Sequence, residues 1–193
     1  MPIAVIFLLT LFQSQVSNTE LDYRVAVPAG FVEYPEARAT NADIVTCWAE
    51  QPSPTAQPLL VMCIVRMRGV LPRDAMKREE VPAGSQLVSY RWKGFQIQGL
   101  RTQETQNGES VVALVAQVPL RHEAIQLTFA GAVDQEARAD SLLRVTLASL
   151  DGESNWLTSA QRSERLGRIA GIWIGIGVAL VLLVRWRRRR AVA

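Results

Sequence analysis

The sequence predicts an α+β fold: an antiparallel β-sheet meander with a long C-terminal packing helix, followed by one transmembrane helix. Three observations carry this reading. Short apolar runs separated by Gly, Pro and Asn turn signals fill most of the chain from Leu21 to Ala130. "QEARADSLLRVTLASL", from Gln135 to Leu150, then changes to helical spacing. Finally, Ile169–Val184 carries no charge and is flanked by Arg168 and a run of arginines.

The elements follow in order. Residues 1–17 hold an apolar run from Ile3 to Phe12 followed by small and polar residues, the form of a secretory signal peptide; the alternative is a buried first strand. "LDYRVAVPAGF" reads as a strand ended by Pro28 and Gly30, and "VEYPEARATNA" as an irregular polar segment. Cys47 and Cys63 lie in the strand-like runs "DIVTCWAE" and "PLLVMCIVRM", on either side of the turn-rich "QPSPTAQP". A hairpin centred near Thr55 sets them opposite each other. A disulfide is then expected in an oxidising compartment, with two buried thiols as the alternative. Two cysteines and one histidine do not make a zinc site, so no metal or cofactor is expected. In "GVLPRDAMKREEVPAG", Asp74 is placed to cap a short helix that Pro82 and Gly84 stop.

The clearest stretch runs from Ser85 to Ala130. Lys93-Gly94 and Asn107-Gly108 are two-residue turns between three strands, Pro119 ends the third, and "EAIQLTFA" supplies a fourth. Ile125, Leu127 and Phe129 alternate with polar residues, whereas Val111–Val118 is apolar on both faces, the pattern of a central strand covered on both sides. Asp134 is a candidate N-cap for the helix, whose stripe is Leu142, Leu143, Thr146, Leu147 and Leu150, and Gly152 is placed to stop it. The domain spans residues 21–152.

Element order, "YRVAVPAGF" at the start and "VPLRHEAIQLTFAG" leading into the final helix resemble the PsbP-like (DcrB-like) α/β/α sandwich family over Leu21 to Leu150. The resemblance implies a compact, often extracytoplasmic domain with accessory and binding roles. It transfers no active residues, because no catalytic motif defines that family. "LASLDG" and Asn155-Trp156 also resemble a phrase in membrane-anchored bacterial proteins.

Beyond the domain, residues 153–165 read as a juxtamembrane linker and helix start, 166–186 as a transmembrane helix and 187–193 as a basic cytoplasmic tail. Gly167, Gly171, Gly175 and Ala179 recur every four residues, the spacing of a close helix–helix contact and of a homodimer through the span. Arg185, Arg187, Arg188, Arg189 and Arg190 fit a topology signal that meets lipid headgroups. Those five belong to 21 basic residues, leaving 16 against 18 acidic ones, a balance of −2. The charge therefore argues against a nucleic-acid partner. The expected location is the plasma (inner) membrane, single-pass, with the domain outside the cytoplasm.

No catalytic residue stands out. His122 lies between Arg121 and Glu123 in a turn-like segment, and Asp134, Glu136 and Asp140 read as solvated or helix N-terminal charges. Tyr90, Trp92 and Phe95 form either a binding patch or strand packing. The expected function is a membrane-anchored, non-enzymatic binding or accessory module of the cell envelope, with an envelope protein as partner. The alternative is a small-ligand-binding or enzymatic domain whose site the sequence does not display.

Overall fold

The computed structural model describes residues 12–51, 58–73, 81–106 and 109–156. In chain order the strands are β1 (Phe12–Asn18), β2 (Tyr23–Pro28), β3 (Phe31–Glu33), β4 (Ile44–Glu50), β5 (Leu60–Met67), β6 (Ser85–Trp92), β7 (Phe95–Gln106), β8 (Glu109–Pro119), β9 (Ala124–Ala132) and β10 (Asp151–Gly152). The helix α1 (Glu136–Ser149) lies between the last two.

Local chemistry explains the strand boundaries. Lys93 and Gly94 both have positive φ, 46° and 80°, the backbone of a type I′ turn, so β6 and β7 close with Trp92 opposite Phe95. Gln106 stands opposite Glu109, the register a two-residue connection demands. Gly30, at φ 86°, makes the bend between β2 and β3. The chain at Pro35–Ala39 is a 3-10 turn, with proline at its start.

Seven strands form one sheet in the order β3-β4-β5-β9-β8-β7-β6, and β1-β2-β10 form a second, small sheet. Every recorded pair is antiparallel. One face of the large sheet carries Leu60, Met62, Ile64, Leu127, Phe129, Val112, Leu114, Tyr90 and Ile97, all buried. Ala139, Leu143, Thr146 and Leu147 of α1 pack against it, as do Tyr23, Val25 and Val27 of β2. The helix touches β2 as well as β6, β8 and β9, and Ala26 N–H donates to Ser149 Oγ at 3.2 Å. Helix and small sheet thus form one layer over one face. Burial of this kind stabilises by about 25 cal/mol per Å² of apolar area.

The opposite face is different. Val61, Cys63, Val65, Ala113, Val115, Thr128 and Ala130 are only half-buried. The described residues thus cover β8 fully on one side only, which corrects the expectation of a strand covered on both. Its small and β-branched side chains are compatible with an open face because each exposes little apolar area.

The antiparallel meander and C-terminal helix are present; a transmembrane helix following them is not supported. No helix among the described residues is long and apolar enough to cross a membrane. At 14 residues, α1 is about 21 Å long, short of a hydrocarbon core of about 30 Å, and it carries Glu136, Arg138, Asp140 and Arg144. The span placed at 166–186 lies outside the described residues, with Gly167, Gly171, Gly175, Ala179, Arg185, Arg187, Arg188, Arg189 and Arg190. The single-pass architecture, the lipid bilayer and transmembrane homodimer as partners, the plasma-membrane location and the membrane-anchored envelope module accordingly lack a structural basis.

One local expectation also changes, and part of the proposed leader falls within the described residues. Phe12–Asn18, largely within the proposed leader, is a strand paired to β2, because Val16 and its neighbours extend the small sheet. Asp134 does not cap α1; it sits in the 3-10 turn Val133–Gln135, and the helix begins after Gln135 without a side-chain cap. Asp74, the expected cap of a short helix, lies outside the described residues.

Candidate functional site

Three segments far apart in sequence converge at one end of the small sheet. The turn between β1 and β2 brings Ser17, Asn18, Thr19 and Asp22. The tight turn between β6 and β7 brings Lys93, and β10 brings Asp151, Gly152 and Glu153. Together with Tyr23 and Arg24 they line a polar cleft of about 420 Å³.

The backbone places these groups for identifiable reasons. Arg24 pairs with Ser17 on one side and Asp151 on the other, at the centre of the small sheet. Asn18 Oδ1 accepts from Leu21 N–H at 2.9 Å and holds the turn. Asp22 adopts a left-handed conformation, φ 52°, and Lys93 another, φ 46°. Both are non-glycine residues, and both line the cleft. Such backbone is sparsely populated and persists where the surroundings over-determine it.

Lys93 locks the cleft together. Its Nζ pairs with the Asp151 carboxylate and donates to Gly152 O at 2.8 Å. The Lys93 hydrogen bond and charge hold the Asp151 carboxyl below its ordinary value. Glu153 pairs outward with Arg121, 3.0 Å away. Arg24 stands opposite Asp151 on β10 and adds its charge to that of Lys93 there, but neither Arg24 nor Asp22 makes an ion pair among the described residues. Behind the wall Tyr23 is buried, and burial pushes its phenol up to about 12, offset in part by the charge of Arg38.

A second charged cluster is structural. Arg66 pairs with Glu123 and, through Nη1 at 2.6 Å, with Glu20. It thereby ties β5 to the approach of β9 and to the turn before β2.

The residues singled out in the sequence fall elsewhere. Cys47 and Cys63 stand directly opposite on β4 and β5 and are joined by a disulfide, with Cα atoms 4.2 Å apart. Tyr90, Trp92 and Phe95 are buried packing residues; Phe95 meets Trp156 edge to face at 5.9 Å. His122 is exposed in the bend before β9. Glu136 and Asp140 are paired, with Arg101 and Arg144 respectively. No group of three or more His, Cys, Asp or Glu able to hold a metal occurs among the described residues. Sequence reading passed over Asp22, Arg24, Lys93 and Asp151. Only the Lys93-Gly94 turn signalled any of them, and it signalled a turn and not a site.

The layered architecture invites comparison with known folds. The chain has a weak structural likeness to solved proteins of the α/β sandwich fold. The Ran-binding protein Mog1p of Saccharomyces cerevisiae aligns with a TM-score of 0.50 at 10% identity, over 74% of this chain and 97% of that one. A protein of Bacteroides thetaiotaomicron aligns with a TM-score of 0.51 at 10% identity, over 73% of this chain and 48% of that one. Cyanobacterial PsbP from Synechocystis aligns with a TM-score of 0.47 at 11% identity, over 74% of this chain and 93% of that one. No family model and no curated protein matches the sequence.

Proposed function

We propose that the chain is a binding domain whose polar cleft takes a small polar ligand. The observation that carries this reading is the convergence of three remote segments, two held in left-handed backbone, on one polar cleft. Its volume, about 420 Å³, lies within the range of small-molecule sites. Lys93 is ion-paired with Asp151, and Arg24 and Asp22, outside any ion pair among the described residues, stand as opposite charges beside the hydroxyls of Ser17 and Thr19. That set matches a ligand with both donors and acceptors and little net charge, such as an amino acid or a polyol. The yeast protein of like fold is Ran-binding by name, so binding is one use of this kind of sandwich.

The test is a thermal-shift and NMR titration of the full chain against the common amino acids and simple sugars. At least one probe should raise the melting midpoint and move the amide signals of Asp22, Arg24 and Asp151. Arg24→Ala should abolish that shift while leaving the melting midpoint without ligand nearly unchanged. If no probe moves those signals, the cleft is not a small-ligand site.

A further inference from the structure

The large sheet ends in two unlike edges. On one side β3 is three residues long, and Pro35 follows it after Tyr34. Brevity and proline are two of the devices that keep edges from pairing with other chains. On the other side β6 runs eight residues, from Ser85 to Trp92, in unbroken register with β7. It contains no proline and no bulge, and Arg91 is its one charged residue.

The turn fixes which backbone groups this edge displays. A two-residue type I′ turn makes Trp92 and Phe95 a hydrogen-bonded pair. Alternation then turns the N–H and C=O of Tyr90, Val88 and Gln86 toward β7, and those of Arg91, Ser89 and Leu87 outward. Arg91, Ser89 and Leu87 are all exposed, Leu87 at 36%, and among the described residues no strand pairs with this outward row of donors and acceptors.

Beside the edge lies a groove of about 470 Å³ lined by Ser89, Tyr90, Arg91, Gln96, Arg144 and Ala148. Its two cations differ. Arg144 is answered by Asp140, at 2.7 Å and 3.2 Å, whereas Arg91 has no acidic partner among the described residues. No acid lines the groove.

We propose that β6 receives an extended acidic segment of a partner protein as an added strand. The backbone of Leu87, Ser89 and Arg91 supplies the ladder, the side chain of Leu87 is covered, and a carboxylate of the incoming strand meets Arg91. Charge decides between occupants. A second copy of this chain, pairing β6 to β6, brings a second Arg91 and no acid on that strand, whereas an acidic segment brings the missing charge.

The probes are a fluorescein-labelled octapeptide alternating valine with glutamate, and its valine–lysine counterpart, titrated by anisotropy into the full-length protein. The acidic peptide should bind saturably and roughly ten-fold more tightly than the basic one, the difference shrinking with added salt. Ser89→Pro removes an outward N–H at a position where an edge strand accommodates proline, and should weaken binding roughly ten-fold. Arg91→Glu should reverse the preference between the peptides, and as an exposed, unpaired side chain it carries the test if Ser89→Pro misfolds. Equal binding of both peptides, no binding, or binding unchanged in both variants overturns the proposal. So does a concentration-dependent dimer that Ser89→Pro abolishes, which would assign the edge to a second copy.

Discussion

Trp92 Nε1 donates to Leu150 O at 2.9 Å, joining the end of β6 to the residue that terminates α1. Both residues are buried. Trp92→Phe would leave that carbonyl without its donor away from water. The expected cost is about 2 kcal/mol, within the range for an unsatisfied buried group. Urea denaturation should show a lower midpoint with an unchanged slope. A loss within a few tenths of a kcal/mol would mean that another donor reaches the carbonyl.

Gly99 is needed for space. A Cβ there would lie 2.2 Å from Val115 O and 2.6 Å from Tyr90 Cε2, and the first of these is backbone. Gly99→Ala should destabilise by at least about 2 kcal/mol, because overpacking forces strands apart. Gly94 is a control of another kind. Nothing lies within 4 Å of its added Cβ, but its φ is +80°, so Gly94→Ala should cost about 1 kcal/mol through backbone strain alone.

Acid should weaken the fold through two identifiable pairs. Hydrogen bonds from Arg66 and Arg101 hold the carboxyls of Glu123 and Glu136 below their ordinary 4.5. A folded-state value below the unfolded one contributes stability above the unfolded value and loses it as pH falls through the folded one. Melting midpoints should therefore fall as pH drops below about 4.5. Glu123→Gln and Glu136→Gln should each flatten that dependence. A double variant that retains the full acid dependence would assign it elsewhere, with Asp151 the next candidate.

Alkali acts through the tyrosines. Burial pushes Tyr23 and Tyr90 up to about 12 from an ordinary 10.0. The unfolded chain then loses those protons first, so stability is complete below pH 10 and declines toward 12. Phenolate absorbance should show Tyr23 and Tyr90 titrating late and together with unfolding. Ordinary titration of these two tyrosines would contradict their burial.

The bond between Cys47 and Cys63 closes a loop with a sequence separation of 16 residues. Its reduction should destabilise by about 3 kcal/mol on the loop-closure argument. Alkylation before denaturation, read by non-reducing mobility, tests whether the bond forms in solution. Two freely alkylated thiols would reject it.

How much of this was legible in the sequence depended on the range of the interaction. The opposed register of residues 47 and 63 follows from counting along one hairpin, and the turn at Lys93-Gly94 from two adjacent residues. The helix stripe of Leu143, Thr146 and Leu147 is likewise local, since 3.6-residue periodicity needs no partner to be seen. Val111–Val118 misled because apolar content reports only a tolerance for burial. Whether a second layer covers the strand depends on other parts of the chain.

The cleft and the charge clusters belong to the opposite case. Residue types alone do not pair Lys93 with Asp151, 58 positions apart, or Arg66 with Glu123, 57 apart. The sequence by itself determined the strand–turn rhythm, the helix and the near balance of charge before the tail, because each is set by neighbours or by composition. Tertiary structure alone decided that β10 returns to β2, that among the described residues one sheet face is only half-covered and β6 is the long edge strand, and that Asp22, Arg24, Lys93 and Asp151 share a cleft. Those relations arise only when packing chooses among many compatible arrangements, and that choice is made by contacts between segments the chain does not hold adjacent.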